Sequence, residues 1–163
     1  MRKLSLLLLF VLGTLFSFGQ QWTGISSLQP ATFQTTLLSS TENSVTVQLQ
    51  VPGFYTFEVS TPRGNANIVS VPKAVSTSQA GEPNLPMIAI PAIIGDQQHY
   101  TIKVVNAEYL DYAMEVAPSK GDFSRQIDPA DVPYTYGNMY EENAFFPAKQ
   151  VGLYDPYILR DFR

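Results

Sequence analysis

Twelve prolines punctuate this chain, at Pro30, Pro52, Pro62, Pro72, Pro83, Pro86, Pro91, Pro118, Pro129, Pro133, Pro147 and Pro156. Each fixes φ near the extended or turn range and removes a backbone donor, so a long helix has no room to form. The intervals between them carry a period of two. Val45, Val47, Leu49 and Val51 alternate with Thr46, Gln48 and Gln50; Tyr55, Phe57 and Val59 resume the pattern after Pro52-Gly53; Ile68, Val69 and Val71 form a shorter run. Alternation of this kind lines one face of a strand. Met87–Ile94 is almost continuously apolar around Pro91 and reads as a buried strand with an edge or bulge proline. Tyr100–Val105 and Tyr109–Val116 read as two more strands. No window carries a helical stripe. The pattern predicts an all-β fold, an antiparallel β-sandwich with long loops.

Two stretches read as those loops: Val71–Pro86 and Ser119–Tyr140, both rich in Pro, Gly and small polar residues. Loops of such length in one domain are uncommon and often functional. Tyr157–Phe162 reads as a strand still in progress at Arg163, which suggests that the last strands of the domain lie beyond it.

At the other end, Arg2 and Lys3 precede an apolar stretch, Leu4 to Phe18, closed by Ser17-Phe18-Gly19. A basic start, a short apolar middle and small residues at the cleavage positions describe a secretory signal peptide. The run is short for a membrane helix, which needs about 20 residues. Cleavage after Gly19 leaves a mature domain over 20–163 with no membrane anchor, exported from the cytoplasm.

Composition removes several chemistries. With no cysteine there is no disulfide, thiolate metal site, cysteine nucleophile or lipid-anchoring cysteine, and a single histidine, His99, builds neither a multi-histidine metal site nor a Ser/His/Asp set. The formal net charge is -4, which argues against a nucleic-acid partner. Adjacent Glu141 and Glu142 would point to opposite faces of an extended chain, so a solvated turn describes them better than an acid pair. Asp122, Asp128 and Asp131 lack the central glycine and closing glutamate of a calcium loop. No metal or cofactor is called for, and no catalytic residue. The aromatic residues from Tyr134 to Phe162 suit either a sandwich core and its rim or a sugar-stacking platform.

Arg125 stands apart. It lies in Pro118-Ser119-Lys120-Gly121-Asp122-Phe123-Ser124-Arg125-Gln126-Ile127-Asp128-Pro129, a loop bounded by prolines and bent by a glycine. A guanidinium on such an arm can pair with a carboxylate at the bottom of a specificity pocket. Alternatively it is a surface arginine paired with Asp122 or Asp128, worth little.

The same residues carry a resemblance. Ala117-Pro118-Ser119-Lys120-Gly121, Ser124-Arg125, Ile127-Asp128-Pro129, Val132-Pro133-Tyr134, Tyr136-Gly137, Tyr140, Phe145-Phe146-Pro147 and Asp155 to Asp161 resemble the N-terminal prodomain of gingipains, which are secreted cysteine peptidases. Gly81-Glu82-Pro83-Asn84-Leu85-Pro86 is similar to that family's Gly-x-Pro-x-Leu-Pro element. From Gly81 to Arg163 the likeness is dense and closest to the arginine-specific branch; from Gln20 to Ala80 it is a matter of pattern. The resemblance implies a β-sandwich propeptide that assists the folding of a gingipain-like cysteine peptidase domain, in cis or in trans, keeps it latent, and passes through the periplasm to the cell surface or the medium by the type IX route. It also implies that Arg125 occupies the peptidase's arginine pocket, with Ser124 and Gln126 as flanking contacts and Lys120 as a secondary one. Two other readings remain: the front of a secreted cysteine endopeptidase precursor, and a stand-alone carbohydrate- or surface-binding sandwich.

Overall fold

In the computed structural model, residues 19–92 and 99–155 are described. The signal segment up to residue 18 and the strand expected at Tyr157–Phe162 lie outside them, as do Ile93 and Ile94 of the run expected as Met87–Ile94. No helix among the described residues is long and apolar enough to cross a membrane.

The all-β, antiparallel expectation holds, in three small sheets. The first orders β1 (Gln21–Gly24), β4 (Gly53–Thr61) and β5 (Gly64–Ser70) as β1-β4-β5. Pro62 and Arg63 turn the β4–β5 hairpin, and proline suits the first central position of such a turn. In β1, Trp22 pairs with Tyr55 and their rings meet edge to face at 4.9 Å. A cross-strand aromatic pair of this kind adds about 0.2–1 kcal/mol to the pairing. The amides of Ile25, Ser26 and Ser27 then all donate to the Pro52 carbonyl, at 2.8–3.2 Å, tying the end of β1 to the start of β4.

The second sheet is the hairpin of β2 (Gln34–Ser40) and β3 (Val45–Gln50). Its Thr41–Ser44 turn closes through the Thr41 amide on the Ser44 carbonyl at 2.8 Å, while Thr41 Oγ1 accepts from the Ser44 amide at 3.0 Å. Alternation in β3 therefore gives a strand, yet its apolar side chains and those of β2 stay exposed: Leu37, Leu38, Val45, Val47 and Leu49 all remain open among the described residues. The third sheet is a short pairing of β6 (Val75–Ser76) with β7 (Pro86–Met87).

Three expected strands are corrected. Of Met87–Ile94, expected as a buried strand, only Met87 belongs to one (β7), and Met87, Ala89, Ile90, Pro91 and Ala92 are exposed. Tyr100–Val105 and Tyr109–Val116 form no strand; only Val116 makes an isolated bridge, to Asn67. Alternation makes a segment able to be a strand, but a strand exists only where a neighbour accepts its ladder. Val105, Tyr109 and Leu110 are accordingly well exposed. The loop expectations over Val71–Pro86 and Ser119–Tyr140 hold, apart from β6, β7 and a 3-10 turn at Asn138–Tyr140.

The buried apolar side chains gather in one place. Phe54, Ala66, Val71 and Ala117 are buried, Pro118 completely so, and the Phe54 ring meets Tyr112 edge to face at 5.0 Å. Ala117 and Pro118 belong to the short piece Glu115–Ser119, which bonds two neighbours at once. On one side the Asn67 amide of β5 donates to the Glu115 carbonyl at 2.7 Å, and the Ala117 amide to the Asn67 carbonyl at 2.8 Å. On the other, the Asn84 amide donates to the Ala117 carbonyl at 3.0 Å, and the Ser119 amide to the Glu82 carbonyl at 2.7 Å. Thr77 braces that second neighbour: its hydroxyl donates to the Pro83 carbonyl and accepts from the Leu85 amide.

Gly81 caps this assembly at φ +83°, and a Cβ placed there would lie 3.1 Å from the Gly137 nitrogen. Positive φ and a backbone neighbour together leave room for glycine alone. Gly81→Ala is expected to lower unfolding stability by about 1–3 kcal/mol, read as an earlier midpoint in urea denaturation at unchanged slope.

Candidate functional site

Both ends of the Ser119–Gly137 loop are held by one residue. The Gly81 amide donates to the Ser119 carbonyl at 3.0 Å, and the Gly81 carbonyl accepts from the Gly137 amide at 2.9 Å. Ser119 is buried, and its hydroxyl accepts from the Gly121 amide at 3.1 Å, which starts the chain outward from the base. Gly121 itself sits at φ +79° against Ala80, where a Cβ would come within 2.8 Å of the alanine methyl.

Two tight turns shape the outer part of the arm. The Ile127 amide donates to the Ser124 carbonyl at 3.0 Å, so Arg125 and Gln126 are the two central residues of a β-turn; Ser124 Oγ also accepts from the Gln126 amide at 3.3 Å. The Asp131 amide donates to the Asp128 carbonyl at 2.9 Å, and Asp128 Oδ1 accepts from the Ala130 amide at 2.8 Å. Serine and aspartate at the first position of a turn perform this service routinely. Of the three aspartates of this region, Asp128 thus serves the turn.

Ser124, Arg125 and Gln126 are all exposed. Arg125 has no hydrogen bond or ion pair among the described residues, and the pairing with Asp122 or Asp128 is not formed. A guanidinium at a turn corner presents five donors to the exterior with none spent at home. Lys120 differs: it is half-buried, its Nζ donates to the Pro129 carbonyl at 2.7 Å, and it lies 4.4 Å from the centre of the Tyr134 ring. Burial pushes the Tyr134 phenol above its ordinary value.

Past the loop, an aromatic and ionic cluster fixes the exit. Tyr136 and Tyr140 meet edge to face at 4.7 Å, and the Arg63 guanidinium lies 4.3 Å from the Tyr136 ring centre while pairing with Glu141. Tyr136 Oη shares a 2.7 Å hydrogen bond with Thr61 Oγ1, and Tyr140 Oη donates to the Val116 carbonyl at 2.9 Å. Part of the aromatic run is therefore rim, as one of its two readings expected, whereas Phe145 and Tyr154 stand largely in solvent. Glu141 lies in an exposed turn with Glu142, and His99 is exposed outside any strand.

Sequence reasoning found the arm's tip and missed its supports. Gly81 and Gly137 gave no signal of their mutual approach, and Arg63 sits in a hairpin turn distant in sequence from Tyr136, whose ring it covers.

With the geometry stated, the chain can be placed among known proteins. The family model described as Propeptide_C25 matches residues 29–163. The chain belongs to that family, the gingipain propeptides, and what it matches is propeptide, not a catalytic domain. It is 38% identical over 129 residues to Gingipain R1 of Porphyromonas gingivalis, spanning 78% of this chain and 13% of that protein. It is 31% identical over 155 residues to Gingipain R2 of the same organism, spanning 92% of this chain and 21% of that protein. The chain thus spans about a fifth or less of these relatives. A solved complex of Porphyromonas gingivalis RgpB pro- and mature domains matches with a TM-score of 0.74 at 32% identity, over 78% of this chain and 68% of that one.

Tyr140 supplies a pH test of the exit cluster. Its phenol is pushed up to about 12, first by burial and then by the neighbouring Tyr136 and Glu115, with Arg63 opposing. A folded-state value above the unfolded 10 means that the folded chain holds this proton more tightly. The contribution is complete below pH 10 and fades as pH rises towards 12. Absorbance titration of the tyrosines should show a late component that Tyr140→Phe removes, and stability between pH 10 and 12 should fall less steeply in that variant.

Proposed function

We propose that this chain is a secreted propeptide that keeps a gingipain-like, arginine-specific cysteine endopeptidase latent and assists its folding. The observation that carries the reading is the free guanidinium of Arg125 at the corner of a tight turn, on an arm held at its base. Side-chain insertion into a carboxylate-bottomed pocket yields charge-assisted, bidentate hydrogen bonds. Because the turn is already formed, docking does not have to order it, and ordering a loop residue costs about 1–2 kcal/mol of backbone entropy. Ser124 and Gln126 flank the inserted side chain, and the exposed surface around the arm covers the cleft.

The turn also separates binding from cleavage. The Arg125–Gln126 peptide bond lies at the centre of the Ser124–Ile127 turn. A peptidase attacks a bond held in near-attack geometry, with nucleophile and carbonyl aligned about 3 Å apart. A bond folded into a hydrogen-bonded turn offers the side chain without that alignment, so the arm acts as a plug and is cut slowly.

Support for the partner comes from the solved relative, a complex of pro- and mature domains. The same docking serves whether the peptidase domain is encoded on the same precursor or on another chain. The basic, apolar and small-residue order of residues 1–19 supports export, and the likeness to gingipains supports the type IX route.

Titrating the full chain against an arginine-specific gingipain should give inhibition that Arg125→Ala weakens about 100-fold or more, the scale of a central interface anchor. Arg125→Lys should recover only part of it, because an ammonium cannot make the bidentate contact. Equal inhibition by wild type and Arg125→Ala would exclude the plug.

A further inference from the structure

Lys120 invites the reading of a second contact on the peptidase, but its surroundings assign it other work. It lies on the outgoing limb of the arm, immediately above the buried base at Ser119. Its partners, the Pro129 carbonyl at 2.7 Å and the Tyr134 ring at 4.4 Å, both lie on the returning limb. Every other hydrogen bond of the arm above the Gly81 base is local to one turn: Gly121 to Ser119, Gln126 and Ile127 to Ser124, and Ala130 and Asp131 to Asp128. The Lys120–Pro129 bond alone crosses from one limb to the other among the described residues.

We propose that Lys120 is a positioning residue: a cationic cross-tie between the limbs that fixes where the Ser124–Ile127 turn presents Arg125, without touching the peptidase itself. The inference rests on the plug reading of Arg125 and deepens it. The chemistry suits the task. A lysine ammonium has three donors and no acceptor, so it can satisfy a carbonyl and lie against an aromatic face together. The half-buried setting strengthens the attraction to the ring relative to an exposed pair. Arginine also makes both kinds of contact, whereas methionine keeps the stem and loses them. With the tie released, the limbs between Gly121 and Asp128 are joined only through their own turns. The tip then samples more orientations, and that spread opposes docking.

The test is a double-mutant cycle on the full chain, reading inhibition of an arginine-specific gingipain. Lys120→Met should weaken inhibition about 10-fold, and Lys120→Arg should restore it to within about 3-fold of wild type. In the Arg125→Ala background, Lys120→Met should add less than about 2-fold, because a positioning residue acts through the group it positions. If Lys120→Met inhibits like wild type while Arg125→Ala does not, the cross-tie is wrong and the plug survives. If the two effects multiply in full, Lys120 is an independent contact and the proposal is overturned.

A second readout does not depend on the peptidase partner. Native chain exposed to trypsin, with the products mapped by mass spectrometry, reports opening of the arm through cleavage after Arg125. Lys120→Met should be cut there about 5-fold or more faster than Lys120→Arg, with cleavage after Lys103, outside the arm, as the reference. An unchanged rate at Arg125 overturns the cross-tie even if Arg125→Ala proves silent in inhibition. So does equal acceleration at both sites, which would mean general loosening.

Discussion

Everything that the arm does depends on a single backbone unit using both of its hydrogen-bonding groups. Gly81 donates to Ser119 and accepts from Gly137, so the start and end of the loop are fixed against the same residue. Each bond is worth only about 0.5–1.5 kcal/mol net, but their effect is geometric. Gly81 is itself carried by Glu82–Asn84, paired with Ala117–Ser119, which in turn bonds Asn67 of β5. A continuous path of backbone hydrogen bonds therefore runs from the three-stranded sheet to the foot of the arm. The close approach is mutual, since a Cβ on Gly137 would come within 2.9 Å of the Gly81 oxygen. Neither position tolerates a side chain without moving the other limb.

Burial follows the same path. Phe54, Ala66, Val71, Ala117 and Pro118 lie where β4, β5 and the loop base converge, while the β2–β3 hairpin exposes apolar side chains. Small residues dominate this core because backbones approach closely there: Ala66 and Ala117 are completely buried, and larger side chains would separate β5 from Glu115–Ser119. Local stability is not uniform in such an arrangement. The best-packed part of the described chain is the platform under the arm, and the ladder at β2–β3 relies on its own hydrogen bonds and turn.

How far the sequence disclosed this depended on the range of the interaction concerned. Alternation revealed β3 and β4, and a short apolar run marked β5, because each signal is local and, at the hairpins, comes with a local turn. It missed β1, a four-residue piece set by Trp22 pairing with Tyr55, and β2, whose Thr-Thr-Leu-Leu-Ser-Ser run does not alternate. Sequence pattern overstated Met87–Ile94, Tyr100–Val105 and Tyr109–Val116, since neither an apolar run nor a period says whether an edge is available to pair with. At the candidate site, the turn at Arg125 was legible because proline, glycine and serine mark it, and the family likeness supplies the role proposed for that residue. The clamp at Gly81 was not. The contacts of Ser119 and Gly137 with Gly81, and of Arg63 with Tyr136 and Glu141, span dozens of residues and carry no local pattern.

Two cations on one arm meet opposite fates, and net charge explains why the difference matters. The chain carries ten basic and fourteen acidic residues. On the proposed reading its partner offers a carboxylate at the bottom of a pocket, so an acidic body approaching that pocket is repelled in most orientations. Exposed charges act over about 8 Å at physiological ionic strength, so the field near the pocket is that of whichever surface arrives first. Lys120 is folded back onto Pro129 and Tyr134 and contributes little outward; Arg125, unpaired among the described residues, is on that reading the positive group that leads. Repulsion of the body and attraction of the tip then favour the same approach, arm first. Electrostatics of this kind select orientation and association rate more than final affinity, so under the proposed plug the affinity would rest on the bidentate contact and on an arm that needs no ordering.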